Sequence, residues 1–316
     1  MNVLTLTLNP ALDLTVSLAT LSPGRVNLAS AGHLGAAGKG INVARVLAEL
    51  GHHPRACGFL GANNAAPYRT LFERHGIHDD FLYLPGDTRV NVKVAEADGR
   101  VTDINLPGLR VSEDDWRRLL VRLDALADDF GCLVVAGSLP PGVSPTRLKG
   151  LIEYWRRRGK TVWLDASGAA LKAGIRGLPQ LIKPNLQELE DLAGRPVHDD
   201  HALAECARRL MAGGVGQVVV SAGADGVVWF GAKGHWRARV PRVQLVSTVG
   251  AGDSLVAGLC AGLLDGLNEP DTLRRAVALS LMAVTQIGVG IYDQATFAAF
   301  QREIQVEPFD ERGVNP

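Results

Sequence analysis

One short segment combines an anion-binding backbone with a single carboxylate. It reads Ser247-Thr248-Val249-Gly250-Ala251-Gly252-Asp253, and an apolar stretch of helical character follows at residues 254–264. Small residues before a helix allow a turn whose backbone N–H groups point outward, which suits a phosphate group. The Asp253 carboxylate would repel that phosphate, so its natural role is to take a proton from an attacking hydroxyl. The segment therefore predicts phosphoryl transfer to an alcohol.

The common phosphate-binding motifs are absent, which narrows this interpretation. The pattern G-x-x-x-x-G-K-[ST] fails because Lys39 is followed by Gly40. The dinucleotide pattern G-x-G-x-x-G fails because Leu255 stands where the third glycine belongs, so a dehydrogenase is not favoured. The alternative interpretation of residues 250–252 is a tight strand-to-helix turn without a ligand.

Two further segments carry polar groups suited to a sugar phosphate. Before and within the first long helix, Gly38 lets the backbone approach a ligand, Lys39 offers a cation, and the Asn42 amide can bond hydroxyls. A flexible loop with a surface lysine is the simpler alternative. In a later predicted strand, every second residue is polar, and alternate residues of a strand share a face. That face is either a second polar binding face or a solvated surface. The residues on that face are Arg89, Asn91 and Lys93.

A third segment, at a predicted strand-to-helix junction, suits a nucleotide and its metal. After Lys183, Asn185 and Glu188 are three residues apart and share a helix face. Glu188 could hold Mg²⁺ through water beside nucleotide phosphates. A helix N-cap by Asn185 with Glu188 at N3 is also good chemistry, and both interpretations can hold together. Residues 221–226 follow another strand and either wall a nucleotide site or form only a hairpin turn.

The remaining polar groups favour no other chemistry. His198-Asp199-Asp200-His201 looks like a metal site, but a solvated loop with Asp200 as a helix N-cap explains it better. No Ser-His-Asp or Cys-His arrangement stands out. The four cysteines are far apart in apolar surroundings and form no C-x-x-C motif, which indicates buried reduced thiols.

Composition requires that any charged substrate be bound by local groups. The 316 residues include 33 basic and 33 acidic side chains, so the formal net charge is zero. This balance disfavours bulk attraction to nucleic acid or to an anionic membrane. The first residues lack a basic region and their apolar run is too short for a signal peptide, and no stretch approaches a transmembrane helix. The expectation is a cytoplasmic enzyme without nucleic-acid or membrane partners.

Strands and helices alternate between these segments, which argues for a mainly parallel sheet with helices on both faces. The predicted strands are residues 3–8, 56–60, 133–136, 162–165, 181–183 and 218–221, with a hairpin of 227–230 and 235–239. The predicted helices are residues 41–50, 67–75, one capped by Ser112 and running to about 128, one opening at Ser144-Pro145, 186–193 and 202–212. The C-terminal third is mostly helical, and residues 308–316 look like an irregular tail.

Two segments interrupt the alternation, at about residues 13–32 and 88–106. Both alternate polar and apolar residues and contain no helical pattern. A small sheet inserted into an α/β body could form a lid over the crevice at the carboxyl ends of the strands.

Together these motifs resemble those of the ribokinase-like, PfkB-type sugar kinases, over nearly the whole chain. The C-terminal signature is matched by residues 247–253, and Ala37 departs from the glycine that the broader family often has there. Segments 7–13, 36–42, 88–93, 137–142 and 306–309 are similar to the bacterial branch that phosphorylates fructose 1-phosphate. The N-terminal signature is matched by Gly38, Asn42, Ala44, Gly51 and Gly61.

The resemblance implies a ribokinase-like three-layer α/β/α fold with a mainly parallel central sheet and a small β-sheet lid, as one kinase domain over residues 1–316. It implies ATP-dependent phosphorylation of fructose 1-phosphate at the C6 hydroxyl, with ATP and Mg²⁺ as cofactors and K⁺ as a further candidate. The alternatives are a 6-phosphofructokinase, a tagatose-6-phosphate kinase or a non-catalytic sugar-phosphate sensor. A homodimer formed through the lid is the expected assembly.

The resemblance also implies a role for each residue. Asp253 is the catalytic base, and Gly250, Ala251 and Gly252 form the anion hole. The sugar phosphate is surrounded by Asp13, Gly38, Lys39, Asn42, Arg89, Asn91 and Ser138. The ATP side comprises Lys183, Asn185, Ser221, Gly223, Gly226, Thr248 and Val249. Glu188 binds Mg²⁺, and Ser247 and Val249 could offer oxygens to a monovalent cation.

Overall fold

Strands and helices alternate along most of the chain in the computed structural model, which describes residues 2–286 and 288–311. The strands are β1 (Val3–Thr7), β2 (Ala11–Leu18), β3 (Ala31–Ala37), β4 (Arg55–Gly61), β5 (His78–Asp79), β6 (Leu82–Leu84), β7 (Val90–Glu96), β8 (Val101–Ile104), β9 (Cys132–Ala136), β10 (Thr161–Asp165), β11 (Leu181–Ile182), β12 (Gln217–Ser221), β13 (Val227–Phe230), β14 (His235–Arg239) and β15 (Gln305–Pro308). The helices are α1 (Lys39–Glu49), α2 (Ala66–His75), α3 (Glu113–Ala125), α4 (Pro145–Arg157), α5 (Gly168–Ile175), α6 (Leu186–Ala193), α7 (Asp200–Ala212), α8 (Ala251–Leu264), α9 (Glu269–Val284) and α10 (Gln294–Glu303).

The central sheet brings the carboxyl ends of its parallel strands to one edge. Among the described residues it has eleven strands, in the order β15-β14-β13-β12-β11-β10-β9-β1-β4-β5, with β6 beside β4. Neighbouring strands are parallel throughout the part of the sheet that contains β12, β11, β10, β9, β1, β4 and β5. The pairings of β12 with β13, β13 with β14 and β14 with β15 are antiparallel. The strand order reverses around β1, and in such sheets a ligand crevice opens at the reversal point.

Two hydrophobic clusters cover opposite faces of this sheet. Leu4 and Leu6 of β1 pack with Trp116 of α3 and Trp155 of α4 on one face. Val3, on the opposite side of β1, packs with residues of α1, α8 and α9 on the other face of the sheet. Alternate strand residues point to opposite faces, so the sheet is the middle of three layers. This confirms the predicted fold class. No helix in the described ranges is long and apolar enough to cross a membrane.

A separate four-stranded sheet, which we call the lid sheet, has the order β3-β2-β7-β8. It contains strands from both interrupting segments of the sequence, although residues 19–30 of the first segment form no strand, and β3 continues beyond the predicted end at residue 32 to Ala37. Five of the seven residues of β3 are alanine or glycine, which have low strand propensity. Backbone pairing with β2, from Ala11 opposite Ala37 to Ser17 opposite Ala31, forms this strand despite its composition.

Two helical predictions were incomplete. Helix α3 ends at Ala125, and a separate 3₁₀ turn at Ala127–Asp129 takes the place of its predicted last turn. Helix α5 was not predicted, because Gly168 and Gly174 weaken its helical pattern.

The cap of α7 was assigned to the wrong aspartate. The Asp199 side chain, not that of Asp200, accepts a hydrogen bond from the Ala202 backbone N–H at 2.7 Å. Asp200 instead forms a bidentate ion pair with the Arg237 guanidinium of β14, with Nη1 donating to Oδ2 at 2.8 Å. The distant arginine therefore decides which of the two adjacent carboxylates is free to cap.

The C-terminal segment is paired rather than irregular where it is described. Residues 305–308 form β15 at the sheet edge, where a final proline is tolerated. The Phe309 ring packs against Phe230 with centroids 5.3 Å apart. The prediction of an irregular tail from residue 308 was wrong for Pro308 and Phe309, whereas residues 310 and 311 are outside any strand or helix. Residues 312–316 lie outside the described part of the chain.

Candidate active site

Asp253 lies in the first turn of α8, directly after the predicted anion-binding turn. Gly250 precedes the helix with φ of 81°, a left-handed conformation that favours glycine. A Cβ on Gly250 would come within 2.1 Å of Val289 Cγ1, so no larger residue fits without rearrangement. Backbone N–H groups in the first turn of a helix have no intrahelical partner and can bind an anion.

Helix α1 brings two predicted site residues to this carboxylate. The Asn42 side chain donates from Nδ2 to Asp253 Oδ2 at 2.7 Å. Lys39 Nζ, at the start of the same helix after its N-cap Gly38, lies 3.7 Å from Asp253 Oδ1. A hydrogen bond to a charged group contributes about 1.5–3 kcal/mol, so Asn42 can fix the orientation of the carboxylate.

Asp165, the last residue of β10, completes this group and was missed by the sequence analysis. Its carboxylate accepts from Lys39 Nζ at 3.1 Å and lies 3.3 Å from Lys183 Nζ. Asp165 and Lys183 are only 2% and 4% exposed, and buried charges need partners of this kind. The available signal was a carboxylate ending a predicted parallel strand, where ligand crevices form.

The buried Lys183 ammonium reaches the anion-binding turn. A Cβ added to Gly252 would lie 3.2 Å from Lys183 Nζ. A cation and the N–H groups at the start of α8 are therefore close to the same small space, which is the combination that a phosphoryl group requires.

The two carboxylates differ in basicity because their surroundings differ. Burial raises the pKa of Asp253, opposed by the charge of Lys39 and reinforced by that of Asp165. Burial also acts on Asp165, but Lys183 and Lys39 outweigh it and hold the pKa of Asp165 below its usual value. The attraction of Asp165 in turn raises the pKa of Lys39. Asp165 is thus the permanent anion, and Asp253 is the better proton acceptor.

The lid sheet carries a second group of predicted residues. Asp13 of β2 accepts from Asn91 Nδ2 at 3.2 Å and from Lys93 Nζ at 3.0 Å, both from β7. The Asn91 oxygen Oδ1 is buried and has no hydrogen-bond partner among the described residues. Buried amide oxygens are usually satisfied, so this acceptor is available for a ligand hydroxyl.

Arg89 and Ser138 are linked by Asn9, a residue to which no role was assigned from the sequence. Arg89, just before β7, donates to the backbone oxygens of Asn9 at 3.1 Å, Pro10 at 3.2 Å and Leu106 at 2.9 Å. Asn9 Nδ2 donates to Ser138 Oγ at 3.0 Å. The Arg89 guanidinium therefore binds backbone oxygens before β2 and after β8, whereas the side chains of Asn91 and Lys93 bind Asp13.

The predicted nucleotide residues gather around the ends of β11 and β12. Asn185 Oδ1 accepts from the Glu188 backbone N–H at 2.7 Å, and Glu188 Oε2 accepts from the Asn185 N–H at 2.9 Å, so the predicted capping box is present. Asn185 also bridges to Ser221. The following 3₁₀ turn at Gly223–Asp225, with Gly226 as its C-cap, connects β12 to antiparallel β13, as in the hairpin-turn interpretation.

The segment before the anion-binding turn lies close to the end of α9. The Val249 N–H donates to Ser247 Oγ at 3.2 Å, and the Ser247 N–H donates to the Val284 carbonyl at 3.3 Å. Thr248 and Val249 are exposed. The predicted cation ligands Ser247 and Val249 are thus adjacent to the turn and in contact with each other.

The combination of this fold and this site is that of a sugar kinase. The family model described as pfkB family carbohydrate kinase matches residues 6–295, so the chain belongs to that family. It is 45% identical to the 1-phosphofructokinase of Vibrio cholerae over 96% of each chain, and 42% identical to that of Escherichia coli over 98% of this chain and 99% of the other. Among solved structures, E. coli phosphofructokinase-2 in complex with substrates and products has a TM-score of 0.87 at 28% identity, covering 96% of this chain and 99% of that one.

Proposed function

We propose that this protein transfers the γ-phosphoryl group of ATP to the C6 hydroxyl of D-fructose 1-phosphate, forming fructose 1,6-bisphosphate and ADP. The assignment of the substrate rests on the similarity to 1-phosphofructokinases, which reaches 45% identity over 96% of both chains. The chemistry is supported by Asp253, a buried carboxylate in the first turn of α8, directly after the proposed anion-binding turn.

In the proposed reaction, the C6 hydroxyl loses its proton to Asp253 as its oxygen bonds to the γ-phosphorus. The bond from that phosphorus to the ADP oxygen breaks, and ADP leaves with the bonding electrons. Because burial raises the pKa of Asp253, it accepts a proton more readily than an exposed aspartate. The N–H groups that begin α8 and the Lys183 ammonium stabilise the negative charge on the transferred group.

Around the sugar, Asp13 and the unpartnered oxygen of Asn91 are the proposed acceptors for substrate hydroxyls, with Gly38 and Asn42 at the start of α1. Arg89 and Ser138 are the proposed partners of the C1 phosphate, since Asn9 links them. For Lys39, which was expected among the residues around the sugar phosphate, we propose a different position. Its contacts with Asp165 and Asp253 favour a role beside the base and the transferred group.

On the nucleotide side, Lys183, Asn185, Ser221, Gly223, Gly226, Thr248 and Val249 are the proposed ATP contacts. The described residues include no cluster of three or more His, Cys, Asp or Glu that could hold a metal ion. Mg²⁺ is usually held by one or two carboxylates, waters and substrate phosphates. Glu188 fits the role of such a carboxylate. Its Oε2 accepts the cap hydrogen bond, and its negative charge is close enough to the site to contribute to the raised pKa of Lys39. When bound, Mg²⁺ neutralises charge on the nucleotide phosphates.

A monovalent cation is proposed beside Ser247 and Val249. E. coli phosphofructokinase-2 has been solved in complex with potassium. The hydroxyl and backbone oxygens of this segment are ligands of the kind that K⁺ accepts, and a higher rate in KCl than in NaCl would support the site.

Glu188→Gln is expected to raise the Mg²⁺ concentration needed for half-maximal rate and to leave the thermal midpoint unchanged. The amide retains an oxygen for the Asn185 N–H but loses the charge that attracts the metal-bound water. A Mg²⁺ titration of the initial rate measures this. Asp115→Asn, in the matching capping box of α3, is the control and keeps the parental titration. An unchanged titration for Glu188→Gln would leave Glu188 as a cap residue alone.

Asp165→Asn is expected to move the acid limb of the kcat/KM profile to lower pH. The negative charge of Asp165 raises the pKa of Asp253, so its removal lowers that pKa. The two lysines released from Asp165 can then pair with Asp253, which acts in the same direction. The measurement is kcat/KM against pH for both proteins. An acid limb that stays in place or moves to higher pH would contradict the proposed coupling.

The alternative substrates are hexose 6-phosphates. E. coli phosphofructokinase-2, at 27% identity, has been solved in complex with fructose-6-phosphate, which supports a 6-phosphofructokinase as the second candidate. Initial ADP-release rates at matched low concentrations of fructose 1-phosphate, fructose 6-phosphate, tagatose 6-phosphate and free fructose decide between them. The proposal expects the highest kcat/KM for fructose 1-phosphate. A preference for a 6-phosphate would overturn the substrate but not the kinase.

The lid sheet is the proposed contact with a second copy of the chain. Leu34, Leu14, Val92 and Ile104 lie directly across from one another on its four strands and form one apolar row. The outer two remain 48% and 51% exposed. An exposed apolar row on a small sheet suits burial against an identical row.

Leu34→Glu and Ile104→Glu are each expected to convert a homodimer to a monomer. A charge in the proposed interface would be buried without a partner. Light scattering after size exclusion measures the mass. Val121→Glu, at a 69% exposed position on α3, is the control and leaves the mass unchanged. A parental protein that is monomeric, or a dimer that survives both lid substitutions, would contradict this interface.

A further inference from the structure

Helix α1 contacts the candidate active site with its first turn and a neighbouring loop with its last turns. Glu49, its last residue, accepts through Oε2 from the backbone N–H of Ile291 at 2.7 Å. Arg45 Nε donates to Glu49 Oε1 at 3.0 Å and orients the carboxylate. Arg45 Nη2 also donates to the Tyr292 hydroxyl at 3.1 Å. Two side chains of one helix therefore hold adjacent residues of the loop between α9 and α10.

This loop packs directly on the anion-binding turn. Val289 is 5% exposed, and its Cγ1 lies only 2.1 Å from where a Cβ on Gly250 would be. Gly290 packs against Glu49, because a Cβ there would lie 2.3 Å from Glu49 Oε2. The backbone oxygen of Gly290 accepts from Gln286 Nε2 at 2.7 Å. Glu49 thus contacts the backbone immediately after the residue that covers Gly250.

We propose that Glu49 is a positioning residue for phosphoryl transfer. By holding the Ile291 N–H it seats Val289 on Gly250 and so fixes the direction of the N–H groups that begin α8. Helix α1 then positions both halves of the reaction centre, since Asn42 orients Asp253 and Glu49 orients the turn. This inference rests on the proposed function, because it assigns that turn to the transferred phosphoryl group.

The requirement for Glu49 follows from the backbone group that it satisfies. Its side chain is 17% exposed, and a partly buried N–H without an acceptor favours a rearranged backbone. Small displacements of groups that stabilise a transition state are costly even when the substitution is far from the reacting atoms. The expected consequence is a loss in kcat rather than in sugar binding, because Glu49 contacts no residue proposed to bind the sugar.

The test compares two substitutions at Glu49 with one matched control. Glu49→Ala is expected to lower kcat by about 10- to 100-fold with the KM for sugar phosphate nearly unchanged. Glu49→Gln is expected to stay within about threefold of the parent, because its amide oxygen can still accept from Ile291. The control is Glu153→Ala on α4, which removes a similar i, i+4 ion pair, with Lys149, and is expected to retain parental kcat.

Amide hydrogen exchange gives a second readout that needs no substrate. Glu49→Ala is expected to speed exchange at Ile291, Ala251 and Gly252, and Glu49→Gln to preserve the parental rates. The inference is overturned if Glu49→Ala matches Glu153→Ala in kcat, or if Glu49→Gln loses as much as Glu49→Ala. Absence of turnover in the parent would instead overturn the proposed function, while exchange would still report whether Glu49 holds the loop and the turn.

Discussion

Asp253→Asn is expected to lower kcat by about 10²–10⁴ and to leave the KM of both substrates nearly unchanged. The amide has the size of the carboxylate and can keep a hydrogen bond to Asn42, but it cannot accept the proton of the attacking hydroxyl. The thermal midpoint should not fall, because burial already disfavours the charged form of this side chain. Steady-state kinetics and a thermal melt of the same preparation measure both effects.

The matched control for this substitution is Asp271→Asn. Asp271 is the third residue of α9, as Asp253 is the third residue of α8, and each is an acidic residue in a first helical turn. Asp271 accepts from the Asn268 side chain at the surface and lies outside the proposed site. Parental kcat is expected for the control. Near-normal kcat for Asp253→Asn would remove the base from the proposed reaction.

Gly252→Ala is expected to lower kcat/KM by about 10²–10³, the usual cost of losing a preorganised anion-binding group. The new Cβ would lie 3.2 Å from Lys183 Nζ, in the space where the cation and the turn converge. The thermal midpoint is expected to stay close to the parental value, because alanine is the better helix residue and Gly252 has no left-handed φ, while the Lys183 ammonium must shift slightly to admit the new Cβ. A loss of activity without a loss of stability separates blocked binding from misfolding.

Gly150→Ala on α4 is the control for the change from glycine to alanine. A Cβ at that position would meet no atom within 4 Å. The control is expected to keep or raise the thermal midpoint and to retain the parental kcat/KM. If Gly252→Ala kept full kcat/KM, the space beside Lys183 would not be the site of the transferred phosphoryl group.

The parts of the site that are local in sequence could be predicted, and Asp253 shows why. Small residues, a carboxylate and the start of an apolar helix occur within a few positions of one another, so their proximity in space follows from their proximity in sequence. The capping box of Asn185 and Glu188 is similarly local and was read correctly. The alternation of strands and helices likewise predicted the layered fold, because the spacing of apolar residues within each element indicates which of its faces is buried.

Asp165 could not be assigned in this way, because its partners come from distant segments. It is 126 positions from Lys39, and in the sequence it is only a carboxylate at the end of a strand. The same reason applies to β3, whose alanines and glycines carry no strand pattern and whose pairing with β2 makes it a strand. The choice between Asp199 and Asp200 as a cap depended on Arg237, 37 positions from Asp200.

The most direct test of the proposed reaction is its product. The purified protein is incubated with Mg²⁺, ATP and fructose 1-phosphate, and ADP and sugar phosphates are quantified together by ³¹P NMR. We expect one fructose 1,6-bisphosphate for each ADP, with formation of both nearly abolished in Asp253→Asn. ADP without bisphosphate, or no turnover of fructose 1-phosphate while fructose 6-phosphate is consumed, would contradict the proposed reaction.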